Sequence, residues 1–499
     1  MARQEDRACD SSRDGAGVSV AGEETAGKWT VLGIVGIGVF MATLDASIVN
    51  ISLPKISSAF HVPLNGLVEW VIISYLIVIA SLLLTLGRLT DIVGRKLIWA
   101  LGMSIFTIGS ALCGAAPSLL TLVLFRALQG LGGAMIMAIS PAMITRAFPA
   151  WQRGRALGLN AMVVAAGTSA GPAIGGFITQ AFSWRWIFYI NVPIGIVGIF
   201  ATLRFLTERM RISGKSEPFD IRGALLLAAG LTSLMLGLSF GQEAGWGSWF
   251  SIGLFGGAAL LLAAFAFHAS GRAHAIVDFS LFRNRLFTAA LCSSLLSFLS
   301  LFAVLFLMPF YLEELLGFTA GRSGILLTAV PLTISIVAPF SGWLSDRFGS
   351  RALSSLGLAI ASVGLWCISN LTPQSSTFDI VWPLMVAGFG QALFQSPNNN
   401  AIMGSVPLHR LGIASGFLAT VRVLGQGFSV ALSGAIFASL GGATAGAALS
   451  RQAATPPGPL QQTFIHAFHT ALFTCMIIAS VGVFTSLMRG RTRGEARRN

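Results

Sequence analysis

The chain has 499 residues, 54% of them hydrophobic and only 10% charged, with a formal net charge of +13. Soluble domains run nearer a quarter charged, so this composition excludes a string of soluble domains and describes one polytopic membrane unit. A positive excess in a soluble protein suggests nucleic acid; here most of the cations fall between apolar runs, and no nucleic acid is expected.

Taken in order, residues 1–28 are polar, mixed in sign and rich in Ser, Gly and Glu. That predicts a disordered cytoplasmic tail rather than the basic start of a cleavable signal. Apolar runs then fall roughly at 30–53, 69–87, 97–115, 118–140, 156–181, 187–206, 223–241, 249–268, 287–311, 323–343, 353–371, 380–403, 412–440 and 465–488. About 20 residues suffice to cross a bilayer, so the expected fold is all-α with about fourteen transmembrane helices. The five cysteines are scattered without metal spacing, four of them in apolar runs, and read as small core residues. No metal site is expected.

Lys and Arg alone set the orientation. With the N-terminus cytoplasmic, the inner segments hold Arg88, Arg95, Lys96, Arg146, Arg153, Arg155, Arg204, Arg209, Arg211, Lys215, Arg222, Arg272, Arg283, Arg285, Arg347, Arg351 and Arg410. The outer segments keep Lys55, Arg185, Arg322 and Arg451. Both termini are therefore expected on the cytoplasmic side of the membrane, and removing any one span would spoil the asymmetry.

The chain also repeats itself. GRLTDIVGRK at 87–96 matches GWLSDRFGSR at 342–351, with Gly87 on Gly342, Asp91 on Asp346, Gly94 on Gly349 and Lys96 on Arg351, all at an offset of 255 (346 − 91). Two parallel six-helix bundles follow, related by an axis along the membrane normal. They are expected at 29–206 and 287–488. A linker over 207–286 carries a central pair of extra helices, and 489–499 forms a basic cytoplasmic tail.

Two charges lie deep inside spans of the first half. Asp45 is nine residues from Pro54 (54 − 45), and Arg126 nine from Pro117 (126 − 117). Each is thus roughly 13 Å from the outer face at about 1.5 Å per residue, so the two are expected to face one another. Burial disfavours a carboxylate's charged form and a nearby cation favours it, so a group held between the two suits proton exchange. The alternatives are a helix–helix hydrogen-bond anchor or a permanent buried ion pair. Gln129 shares the helical face of Arg126 and is expected in the same network.

Gly167, Gly171 and Gly175 in GTSAGPAIGG make a smooth face for close helix approach, and Pro172 introduces a kink. Gly176 ends the motif. In the first repeat copy, Gly87 and Gly94 are expected to permit tight turns. Asp91 is expected to cap a helix or pair with basic neighbours, and Arg95 and Lys96 to anchor the third helix. With Asp346 they read as a gate loop, the alternative being a charged turn that serves topology alone. Gln391, Gln395 and Asn398 are amides in the twelfth span, for which a wet cavity is expected, and Arg422 in the thirteenth reads equally as a cavity-facing or a packing cation.

LDASIVNISLP (44–54), GRLTDIVGRK, RALQGLGGA (126–134), GTSAGPAIGG and SPNNNAIMGSVP (396–407) occur in order along this topology. Together they resemble the major facilitator superfamily, and within it the fourteen-helix drug:proton antiporter branch of EmrB/QacA type. The resemblance implies proton transfer at Arg126 and a fifth-helix motif that affects the seal between conformations. It also implies multidrug efflux of hydrophobic or amphipathic compounds, driven by the proton gradient without a cofactor. One departure is Ile92, where the family often has a basic residue.

No nucleotide-binding or nucleophile motif is present, so the chain does not read as an enzyme. A dedicated exporter of one antibiotic or metabolite, a non-transporting membrane sensor and an importing symporter stay open as alternatives. So does a periplasmic adaptor as a partner.

Overall fold

The computed structural model describes residues 27–62, 68–206, 219–270, 272, 275–451 and 458–489. The N-terminal tail, part of the linker and residues 490–499 lie outside them. Among the described residues, fourteen helices are long and apolar enough to cross a membrane. In chain order they are α1 Lys28–Phe60, α2 Trp70–Val93, α3 Arg95–Ala115, α4 Leu119–Ala147 and α5 Arg153–Ala181. Next come α6 Trp186–Phe205, α7 Ile221–Ala244, α8 Trp249–Ser270 and α9 Arg285–Phe310. The last five are α10 Gly321–Phe348, α11 Ser350–Ile368, α12 Thr377–Gly404, α13 Leu411–Ser439 and α14 Pro459–Leu487.

Local chemistry marks the helix starts and repeats between the halves. Ser118 opens α4 and Ser376 opens α12, each with a reciprocal capping box that satisfies free N–H groups at the helix start. Gly94 and Gly349 separate the second and third helices of each half at φ 105° and 87°, a region where a Cβ is strained; they too are 255 apart (349 − 94). Pro141 and Pro397 interrupt α4 and α12 at nearly the same offset (397 − 141 = 256).

Within the first half α1 packs on α5, and α4 on α2 and α3; within the second, α12 packs on α10 and α11, and α9 on α13 and α14. The halves meet along two seams, α5 on α10 and α2 on α13. Helix α7 lies across the second seam. Its Met235 and Leu238 share an apolar cluster with Ile77 and Ala80 of α2 and Ala431 of α13. The extra pair therefore covers one seam of the molecule, with α8 packed on α7.

Arg489, which heads the expected basic tail, is buried; its Nη2 donates to the Asn398 side chain of α12. Burial pushes this guanidinium down to about 9.

Candidate transport site

The Asp45 carboxylate is fully buried at the centre of the first half. Arg126 donates to its Oδ2 from Nη1 at 2.6 Å. Its Oδ1 accepts from Gln129 Nε2 at 2.9 Å and from Asn191 Nδ2 at 2.8 Å. The Arg126 Nη1 also donates to Gln129 Oε1 at 2.7 Å, and its Nε to the Val71 carbonyl at 2.9 Å. The guanidinium stands 4.2 Å from the centre of the Tyr75 ring. Gln129 Nε2 reaches Ser110 Oγ at 2.5 Å. Helices α1, α2, α3, α4 and α6 thus converge on one carboxylate. A buried pair is tolerated only when its remaining polar atoms find partners, and here the acid collects three donors.

Asn191, Ser110 and Tyr75 are members that sequence reasoning did not single out. Asn191 had a signal, a lone amide opening the sixth apolar run.

A cavity of about 650 Å³ lies between the halves. Arg126 belongs to its wall, but Asp45, paired with it at 2.6 Å, does not. The second half contributes Arg422, Gln395, Asn399, Gln426, Phe298, Phe302 and Phe306, and α7 contributes Met235, Leu238 and Ser239. The α2 residues in the wall run from 72 to 83 and the α13 residues from 418 to 430. The ends of both helices on the Lys- and Arg-rich face therefore lie outside it.

The wall includes Gln395 and Arg422 but not Gln391 or Asn398. Gln391 accepts from Ser297 Oγ at 2.8 Å on α9. Asn398 is turned one residue, about 100°, from Asn399 and accepts from Arg489.

On the Lys- and Arg-rich face, two carboxylates bolt the halves together. Asp91 accepts from the Gly412 and Ile413 amides at 3.0 and 3.1 Å, at the start of α13. Its repeat mate Asp346 accepts from the Gly154 and Arg155 amides at 2.8 and 2.9 Å, at the start of α5. Each acid thus caps a helix N-terminus of the opposite half, where free N–H groups and the helix dipole favour negative charge. Arg95 lies 3.4 Å from Asp91 and donates to the Leu408 carbonyl of the other half. Lys96 donates to the Leu203 carbonyl.

The expected gate loop is largely helical: α2 runs through Val93, leaving Gly94 as the break. Gly87 makes no turn. A Cβ there would lie 2.5 Å from the Gly412 carbonyl oxygen, and one on Gly154 2.5 Å from that of Gly342. Both glycines serve close approach across the seams.

The fifth-helix glycines press on α1 beside the acid: Gly167 against Thr43, Gly171 against Ser47, and Gly175 against Ile48. Ser47 Oγ donates to the Thr168 carbonyl at 2.7 Å. Gly176 faces open space, and the Pro172 side chain lies outside the described residues.

The family model for the Major Facilitator Superfamily matches residues 35–430 and 290–494. The chain belongs to that superfamily. Among relatives, it is 35% identical to the riboflavin transporter RibZ of Clostridioides difficile over 412 residues, 83% of this chain and 88% of that one. It is 32% identical to the multidrug resistance protein Stp of Mycobacterium tuberculosis, covering 86% and 78%. It is 31% identical to the tetracenomycin C resistance and export protein of Streptomyces glaucescens, covering 82% and 76%. The fold is that of the solved major facilitator XylE, a proton:xylose symporter, at TM-score 0.66 and 14% identity over 95% of this chain and 99% of that one. As a superfamily member with fourteen spans and exporter relatives, the chain fits the fourteen-helix drug:proton antiporter branch.

Proposed function

We propose that this transporter exports amphipathic compounds across a bacterial cytoplasmic membrane in exchange for protons, by alternating access, without changing its cargo chemically and without a cofactor. The observation that carries the reading is the Asp45–Arg126 pair set against a cavity shared by both halves. A charge buried at that depth is costly, and residues of this kind mark proton and substrate pathways.

With the Lys- and Arg-rich face taken as cytoplasmic, the Asp91 and Asp346 bolts hold the two halves together on that side of the cavity. This is the state that has released its substrate and awaits a proton. Protonation of Asp45 removes the charge that pins Arg126. The molecule then returns with the proton, releases it inward, and recrosses with substrate.

Flux of a fluorescent amphipathic dye in proteoliposomes under an imposed pH gradient tests the reading. Uphill dye movement that collapses when the gradient is dissipated is expected; a membrane sensor gives none. Relatives named for one compound each, riboflavin and tetracenomycin C, favour a second reading as a dedicated exporter. Protection of cells against several unrelated compounds separates the two, since a dedicated exporter protects against one.

A further inference from the structure

The charges in the cavity wall are one-sided. Among the described residues lining it, the charged ones are Arg126 and Arg422, with no Asp or Glu. Arg126 is neutralised from behind by Asp45, which is itself outside the wall and already holds three donors. Arg422 has no such counterweight. It makes no ion pair and donates no hydrogen bond among the described residues, and its guanidinium carbon lies 5.9 Å from the centre of the Phe298 ring. Gln395, Asn399 and Gln426 stand in the same wall as neutral donors, with Phe302 and Phe306 as apolar surface.

We infer that the substrates of this cavity are amphipathic organic anions, their carboxylate or phenolate set against Arg422 and their ring system against the Phe residues. The inference rests on reading the cavity as the transport site. A guanidinium without a partner in a largely apolar cleft is expensive, and an anionic ligand that supplies the partner recovers that cost. Arginine binds carboxylates through charge-assisted, often bidentate hydrogen bonds. A lipophilic cation meets the opposite situation: it is repelled by Arg422, and Asp45 is fully buried, outside the wall and already paired with Arg126.

The test uses two dyes with the same xanthene core, anionic fluorescein and cationic rhodamine 6G, titrated at pH 8 against the full chain in lipid nanodiscs, with proton-driven flux of both followed in proteoliposomes. Fluorescein is expected to bind about tenfold or more tighter than rhodamine 6G. Arg422→Gln should lose about that factor for fluorescein alone, Arg422→Lys should keep most of it, and Arg422→Glu should invert the order. Rhodamine 6G bound as tightly as fluorescein by the wild type, or a preference that Arg422→Glu leaves unchanged, overturns the substrate class while export itself stands. If neither dye binds and neither is moved, the substrate class and the export reading both fall. The wild-type ratio alone decides if the variants do not fold.

Discussion

Arg126 meets Asp45 at 2.6 Å and is also the only member of that pair in the wall of the cavity between the halves. The cation is therefore placed to couple, on the proposed reading, the acid it pairs with to the cavity it lines. A carboxylate open to the cavity would bind cationic cargo directly. On the proposed reading, the carboxylate paired with Arg126 acts through the arginine, so proton and substrate would communicate without sharing a site.

Asn191 supplies one of the two hydrogen bonds to Asp45 Oδ1. Hydrogen bonds to charged groups contribute about 1.5–3 kcal/mol, so Asn191→Ala should lower unfolding stability by roughly that amount. Thermal unfolding of the purified protein measures it. A variant as stable as the wild type would show that the amide is not engaged.

The two bolts on the Lys- and Arg-rich face hold the closed arrangement there. Asp91→Asn or Asp346→Asn weakens charge-assisted bonds to two backbone amides. At about 1.5–3 kcal/mol, either change should raise the population open on this face by roughly ten- to a hundredfold. Spin labels at Trp151 and Phe348, exposed residues of the two halves, should report a new longer distance. An unchanged distance distribution in the double variant would remove the bolts from the gate.

Asp220 anchors the extra helix pair. It caps α7 through the Gly223 amide at 3.0 Å and contacts His268 Nε2 of α8 at 2.9 Å, with Arg272 at 3.8 Å. Burial pushes its carboxyl up, but the His268 and Gly223 hydrogen bonds and the Arg272 charge outweigh it and hold the group beneath the usual carboxylate range. Its contribution is therefore complete above about pH 4, the ordinary Asp value, and is lost as pH falls through the lower folded value. Asp220→Ala should cost about 0.5–2 kcal/mol at neutral pH, a difference that shrinks as the pH approaches 3. Melting curves across that range check it; a gap that widens on acidification contradicts the assignment.

Much of this arrangement is legible in the residue order. The fourteen spans follow from hydropathy, and equal depth in two spans already faces Asp45 toward Arg126. The repeat at an offset of 255 aligns Asp91 with Asp346, which occupy equivalent places. Their partners are another matter, because Gly412, Ile413, Gly154 and Arg155 offer backbone N–H groups that side-chain patterns do not display. The exclusion of Gln391 and Asn398 from the cavity depends on how far α12 is rotated about its axis, and polarity alone does not fix that. The contribution of α7 to the wall depends on where the extra pair docks, which two apolar runs leave open.

The claim on which the account rests is that Asp45 carries the proton. Its most direct measurement compares wild type and Asp45→Asn in proteoliposomes, recording both uphill dye movement under a pH gradient and downhill exchange at equal pH. The account predicts that Asp45→Asn abolishes the uphill movement while downhill exchange persists. Uphill movement by Asp45→Asn at the wild-type rate would contradict it.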